Sequence, residues 1–202
     1  MRANGVIGLA IAKLGTDVGQ AQSGTGSVFF PDPFRYLPGA LAQRWTSHLD
    51  AGGLRGDITL GAPAPQGAAT VVPLAGTGPP GRDRNWDDAP VLCWRIDAVA
   101  PWCVPTVFDT GSDGMLAQGF PGALPTLSQG TTSLTATQAE AGLGIAGSLP
   151  GTSQSFFYTT TNFDSRALYL PQGPAEMVVG TGALDGHTLF YDLRRGVLSL
   201  SK

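Results

Sequence analysis

Thr106-Val107-Phe108 is an apolar, strand-like run, and it delivers Asp109 into Thr110-Gly111-Ser112-Asp113-Gly114. The chemistry this order suits is that of a carboxylate held at the tip of a rigid loop. Gly111 allows backbone to approach closely, and the hydroxyls of Thr110 and Ser112 can fix neighbouring groups by hydrogen bonds. Asp, Thr, Gly and Ser are also ordinary turn formers, so a plain Asx turn after a strand is the competing reading, and context must separate the two.

Other constellations carry less. His48 and His187 lie far apart with no carboxylate or cysteine at ligand spacing, so no metal site is expected, and His187 is read as a residue on a sheet face. Gly142-Leu143-Gly144-Ile145-Ala146-Gly147 satisfies a dinucleotide-binding pattern literally. Gln138-Ala139-Glu140 stands where a strand is needed before it, however, and Pro150-Gly151 where a helix is needed after it, so the match is accidental. No Gly-x-Ser-x-Gly elbow is present, which leaves serine hydrolase chemistry without its nucleophile geometry. Cys93 and Cys103 have nine residues between them and no companion ligand for zinc. They are a candidate disulfide if they sit at facing ends of adjacent strands; two buried thiols is the other reading. Trp45, Trp86, Trp94 and Trp102 are assigned to the core rather than to a cleft.

The elements that must position Asp109 are short. Apolar or alternating runs recur at residues 28–30, 57–60, 70–74, 91–99, 106–109, 156–160, 167–170, 177–179, 187–192 and 196–200, with Gly or Pro between most of them. That spacing marks an all-β sandwich or barrel. One helix is predicted over residues 37–49, where Leu37, Leu41, Trp45 and His48 or Leu49 share a helical face, and a Thr-rich second candidate covers residues 128–140. Residues 76–89 and 142–153 read as long loops. The 202 residues include 29 Gly and 16 Pro, a turn-dense chain, yet the 42% apolar content can bury a real core.

Charge narrows the function further. Ten Arg and two Lys face thirteen Asp and two Glu, for a net charge of −3, and no basic run exceeds Arg194-Arg195. Nucleic acid is set aside as a partner for want of an electrostatic footprint. The longest apolar stretch, residues 6–12, is far too short to span a bilayer, and it lacks the cleavage site of a convincing signal peptide.

Placed in order, several segments resemble the pepsin-like aspartic peptidases, and specifically their C-terminal lobe. Asn4-Gly5-Val6-Ile7-Gly8-Leu9-Ala10 looks like the segment that closes the first lobe. Trp45-Thr46-Ser47-His48-Leu49 and Gly56-Asp57-Ile58-Thr59-Leu60-Gly61 resemble the opening hairpin of the second. Pro73-Leu74 and Cys93-Trp94-Arg95-Ile96 sit where the family has its Pro-Leu and its aromatic-rich strand. Phe108-Asp109-Thr110-Gly111-Ser112 resembles the second catalytic loop, and Val178-Val179-Gly180, residues 187–193 and residues 196–200 resemble the closing strands.

The resemblance implies an all-β pepsin-like lobe, a closed barrel or sandwich with one or two short helices. Residues 1–27 would be the remnant of a first lobe and its connection, and 28–202 the C-terminal lobe. It implies Asp109 as a catalytic residue of an aspartic-type endopeptidase. Thr110, Gly111 and Ser112 would shape the loop, and the strand Val178, Val179, Gly180 would cross beside it in support. Thr181 departs from the Asp or Asn common there. A peptidase of this kind activates water between two carboxylates sharing a proton, and this chain contains one Asp-Thr-Gly only. The alternative is a catalytically silent lobe that binds peptide or protein along the old cleft. No cofactor is implied. The implied partners are a peptide or protein substrate and either a second copy of the chain or a separate first lobe; relatives of this type are secreted or periplasmic.

Overall fold

The computed structural model describes residues 37–50, 56–65, 70–77, 85–86, 89–110, 112–127 and 136–202. The chain is all-β. Among the described residues the one helical element is a 3₁₀ turn at Gly39–Ala42, followed by sixteen strands. They are β1 (Arg44–Leu49), β2 (Gly56–Leu60), β3 (Thr70–Pro73), β4 (Gly76–Thr77), β5 (Asn85–Trp86), β6 (Val91–Ile96), β7 (Trp102–Asp109) and β8 (Met115–Gln118). The second half adds β9 (Thr126–Leu127), β10 (Ala136–Ala139), β11 (Gly144–Ser148), β12 (Ser155–Thr160), β13 (Leu168–Pro171), β14 (Glu176–Gly180), β15 (Thr188–Asp192) and β16 (Val197–Ser201).

Two main sheets result. One has five strands in the order β2-β1-β15-β16-β3, the other nine in the order β12-β11-β6-β7-β14-β8-β13-β10-β9, and β4 and β5 form a small ribbon. Among the described residues each order has two ends, so neither sheet closes, and of the barrel or sandwich expected, the closed barrel is corrected to two open sheets. A single apolar cluster joins them: Trp45, Val72, Leu189 and Leu198 of the smaller sheet pack in it with Trp94, Ile96, Met115 and Val179 of the larger. Along β7 the alternation is plain, with Val104, Thr106 and Phe108 buried between more exposed neighbours. The buried Thr106 accepts a 2.8 Å hydrogen bond from the indole N–H of Trp94, which meets Phe157 edge-on at 5.6 Å. Trp45 is buried too, stacked on Tyr191 at 4.0 Å.

The helix expected over residues 37–49 is corrected. The chain makes only the short 3₁₀ turn before Arg44–Leu49 enters the five-stranded sheet, pairing with both β2 and β15. Its buried residues are Trp45 and Ser47, two apart, which is the period of a strand. Apolar residues four apart fit either period, and the Trp-Thr-Ser-His composition favoured the pleated surface. The Thr-rich helix candidate gives way to β10 over residues 136–139; residues 128–135 lie outside those described. The long loop expected over residues 142–153 contains β11. The remnant and its Val6-Ile7-Gly8, with the run at residues 28–30, fall on residues outside the described set.

Cys93 and Cys103 face each other across the β6–β7 ladder and are joined by a disulfide. Among the described residues no helix is long and apolar enough to cross a membrane.

Candidate functional site

Asp109 is the last residue of β7, and the chain does not continue into the next strand position of the sheet. Between β7 and β8 lies β14, parallel to β7 and antiparallel to β8. The parallel register sets Gly180 beside Asp109, Val179 beside Phe108 and Val178 beside Val107. A strand threaded between two others from the same loop must pass very close to that loop. A Cβ on Gly180 would overlap the Gly114 carbonyl oxygen and come within 2.5 Å of the Ser112 one, so only glycine fits the crossing.

Hydrogen bonds then tie the loop to the strand end. Ser112 O accepts from the backbone N–H of Thr181 at 2.7 Å and from its hydroxyl at 2.9 Å, and Asp113 O accepts from Gly182 N–H at 3.2 Å. Ser112 Oγ donates to Asp109 Oδ2 at 2.8 Å. The carboxylate is half-buried and held from its own loop. Behind it, Met115 N–H donates to Ala167 O, and a Cβ on Gly182 would overlap the Ser165 carbonyl oxygen. The segment of residues 162–167 therefore packs against the same end of the sheet, and it carries Phe163, 58% exposed. Asn162 Oδ1 shapes this segment by accepting from the N–H groups of Asp164 and Arg166.

The structure brings Asp109, Ser112, Val178, Val179 and Gly180 together. Thr110 is exposed at the loop tip, while Ser112 supplies the hydrogen bond to the carboxylate; Gly111 lies outside the described residues. Thr181, whose bonding the sequence left open, holds the loop through both backbone and side chain.

The histidines do not form a metal centre. His48 shares a hydrogen bond with Thr188 Oγ1 at 2.9 Å and lies 3.5 Å from Asp50, at the surface. His187 is buried against Phe157, its Nδ1 donating to Asp185 O at 3.0 Å, and burial lowers its pKa below the ordinary imidazole value. Among the described residues no group of three or more His, Cys, Asp or Glu could hold a metal ion.

Sequence reasoning missed a second feature. A groove of about 480 Å³ lies over β11, lined by Arg95, Asp97, Ala98, Gly142, Gly144, Ala146 and Tyr158. The signal was available: Gly144 and Ala146, alternating with the buried Ile145, describe a strand with small residues on one face.

Fold and site together define an all-β protein of two open sheets with an Asp-Thr-Gly loop braced by a crossing strand. No protein-family model matches the chain, and no curated protein matches it. Among solved structures it is similar to basic 7S globulin from soybean, at 14% identity and a TM-score of 0.47, over 79% of this chain and 52% of that one. The chain thus spans about half the length of that protein. The expected membership of the pepsin-like aspartic peptidase family is corrected accordingly, since neither a family model nor a curated protein matches the chain. The physical reason is that each resembling piece is a few residues of turn formers or β-branched apolar residues, and any turn-dense all-β chain needs both.

Proposed function

We propose that this chain is a non-hydrolytic binding module that grips a peptide or protein segment at the Asp109 end of its larger sheet. The observation that carries the reading is the bracing of one carboxylate: Ser112 Oγ lies 2.8 Å from Asp109 Oδ2, inside a loop pinned by two hydrogen bonds from Thr181. An acceptor fixed in advance loses little entropy on binding a peptide N–H or a Lys or Arg side chain. Exposed Phe163, on the neighbouring segment, supplies an apolar contact of the kind that anchors a protein interface.

Hydrolysis would ask more of the site. Water activation of the dyad type needs two carboxylates sharing a proton, and the single Asp-Thr-Gly of this sequence supplies one such loop.

The test selects binders to the 202-residue chain from a phage-displayed random peptide library and titrates the enriched peptides against wild type and Asp109→Asn. Loss of about tenfold or more in affinity on losing the charge is expected, the ordinary worth of a charged hydrogen bond. Enriched peptides that bind Asp109→Asn as tightly as wild type would refute the role of the carboxylate. Casein incubated with the chain at acid pH should stay intact; cleavage that disappears in Asp109→Asn would replace binding by hydrolysis.

A further inference from the structure

The groove over β11 lies at the other end of the β6–β7 hairpin from Asp109. β7 is eight residues long, about 25 Å at strand rise, and Asp109 is its last residue while the turn after Ile96 precedes its first. Cross-strand register builds the groove. Arg95 of β6 pairs with Ala146 of β11, which pairs with Tyr158 of β12, so an arginine and a tyrosine flank one alanine at two strand spacings, about 10 Å. The next position along pairs Gly144 with Thr160, and Gly144 O accepts the N–H of Asp97 at 2.7 Å.

The side chains above this floor have the means to hold a ligand. Tyr158 is 65% exposed, an aromatic ring that the core does not use. Arg95 and Asp97 are both exposed, and their charges cancel, which disfavours phosphates, other anions and simple cations alike. Asp97 has φ 51°, a left-handed backbone that turns the chain at the groove's wall. The floor strand β11 is paired on both sides, to β6 and to β12, so its backbone groups are committed and no incoming strand can add to it. Recognition must come from side chains: a planar guanidinium that donates, a carboxylate that accepts, and a ring face that packs on C–H groups. A volume of about 480 Å³ falls in the range of small-molecule sites.

We infer that this groove binds a neutral saccharide, with a sugar ring stacked on Tyr158 and its hydroxyls shared between Arg95 and Asp97. The inference goes beyond the Asp109 reading and stands without it. It also accounts for two small residues of the 142–147 run, Gly144 and Ala146, which keep the floor low, while Gly142 at φ 90° serves the turn before β11 and Gly147 packs against Trp94.

The experiment screens the full chain against neutral oligosaccharides of glucose, mannose, xylose and galactose by saturation-transfer NMR and titrates those that bind by calorimetry. At least one is expected to bind, with affinity falling about tenfold or more in Asp97→Asn, a substitution that keeps a residue tolerant of left-handed backbone, and also falling in Tyr158→Ala. Because both side chains are exposed, unchanged thermal unfolding would confirm that these variants fold. Val71→Ser, an exposed position on the smaller sheet, should bind as wild type does. The inference is overturned if none of the four classes binds at millimolar concentration or if Tyr158→Ala binds as well as wild type. It is equally overturned if the library peptides, rather than the sugars, lose affinity in Tyr158→Ala, for the groove would then be a peptide site.

Discussion

At the Asp109 end of the larger sheet the backbone is packed so closely that Gly180 has no room for a Cβ. Over β11, at the opposite end, a Cβ on Gly144 would meet nothing nearer than the Tyr158 hydroxyl at 3.2 Å. Both positions are glycine, for contrary reasons. The first is a crossing, where carbonyl oxygens of the 112–114 segment occupy the space. The second lies under a side chain: the ring of Tyr158, itself largely exposed, leans over the position that a Cβ would take. A small residue therefore says that something comes close, and only the structure tells whether it is rigid backbone or the end of a flexible side chain.

Filling the two positions separates a backbone crossing from a side-chain contact most directly. Gly180→Ala should destabilise the fold by about 3 kcal/mol or more, since backbone atoms must move to admit the methyl, and should lower affinity for the Asp109-binding peptides. Urea unfolding checks it, and a loss below about 1 kcal/mol would mean the crossing is looser than the geometry shows. Removing the disulfide with Cys93→Ala and Cys103→Ala together should cost roughly 2–3 kcal/mol for a loop of this size. As the bridge spans the β6–β7 hairpin between the two sites, hydrogen exchange should rise in that hairpin first.

Thr181→Val keeps the backbone bond to Ser112 and removes the hydroxyl one, for an expected loss of about 1 kcal/mol. A loss no larger than that of an exposed Thr→Val control would show that the hydroxyl bond adds nothing. The buried imidazole contributes a graded effect. His187 has its folded pKa lowered by burial, so the unfolded chain binds the proton more readily. Its contribution is intact above the unfolded value near 6.5 and is lost as the pH falls from there through the folded value. Unfolding midpoints measured from pH 7.5 to 5 should therefore fall more for wild type than for His187→Gln, and parallel curves would refute the assignment. The smallest stability change is expected for Gly144→Ala, within about 1 kcal/mol of wild type, because the lost backbone freedom of the unfolded chain offsets a mild contact with a flexible tyrosine. Its signature is instead a weakened sugar titration at unchanged stability.

From residue types and spacing alone came the all-β class, most of the strands and the Asp109 loop, whereas the Val178-Val179-Gly180 strand at its side was implied only by a resemblance, and the parallel register with β7 placed it there. The first three are local: alternation, punctuation by Gly and Pro, and a carboxylate after an apolar run are all written within a few residues. Where local patterns were ambiguous the tertiary structure decided. Residues 44–49 could satisfy a helical or a pleated period, and pairing with β2 and β15 made them a strand. Cys93 and Cys103 could be thiols or a bridge, and the β6–β7 register placed them face to face. The choice between barrel and sandwich could not be read from the strands either, because whether a sheet has edges depends on which strands pair, a long-range outcome. The groove is the furthest from the sequence. Arg95, Tyr158 and the small residues between them come from three separate strands, and no spacing along the chain brings them together until the sheet does.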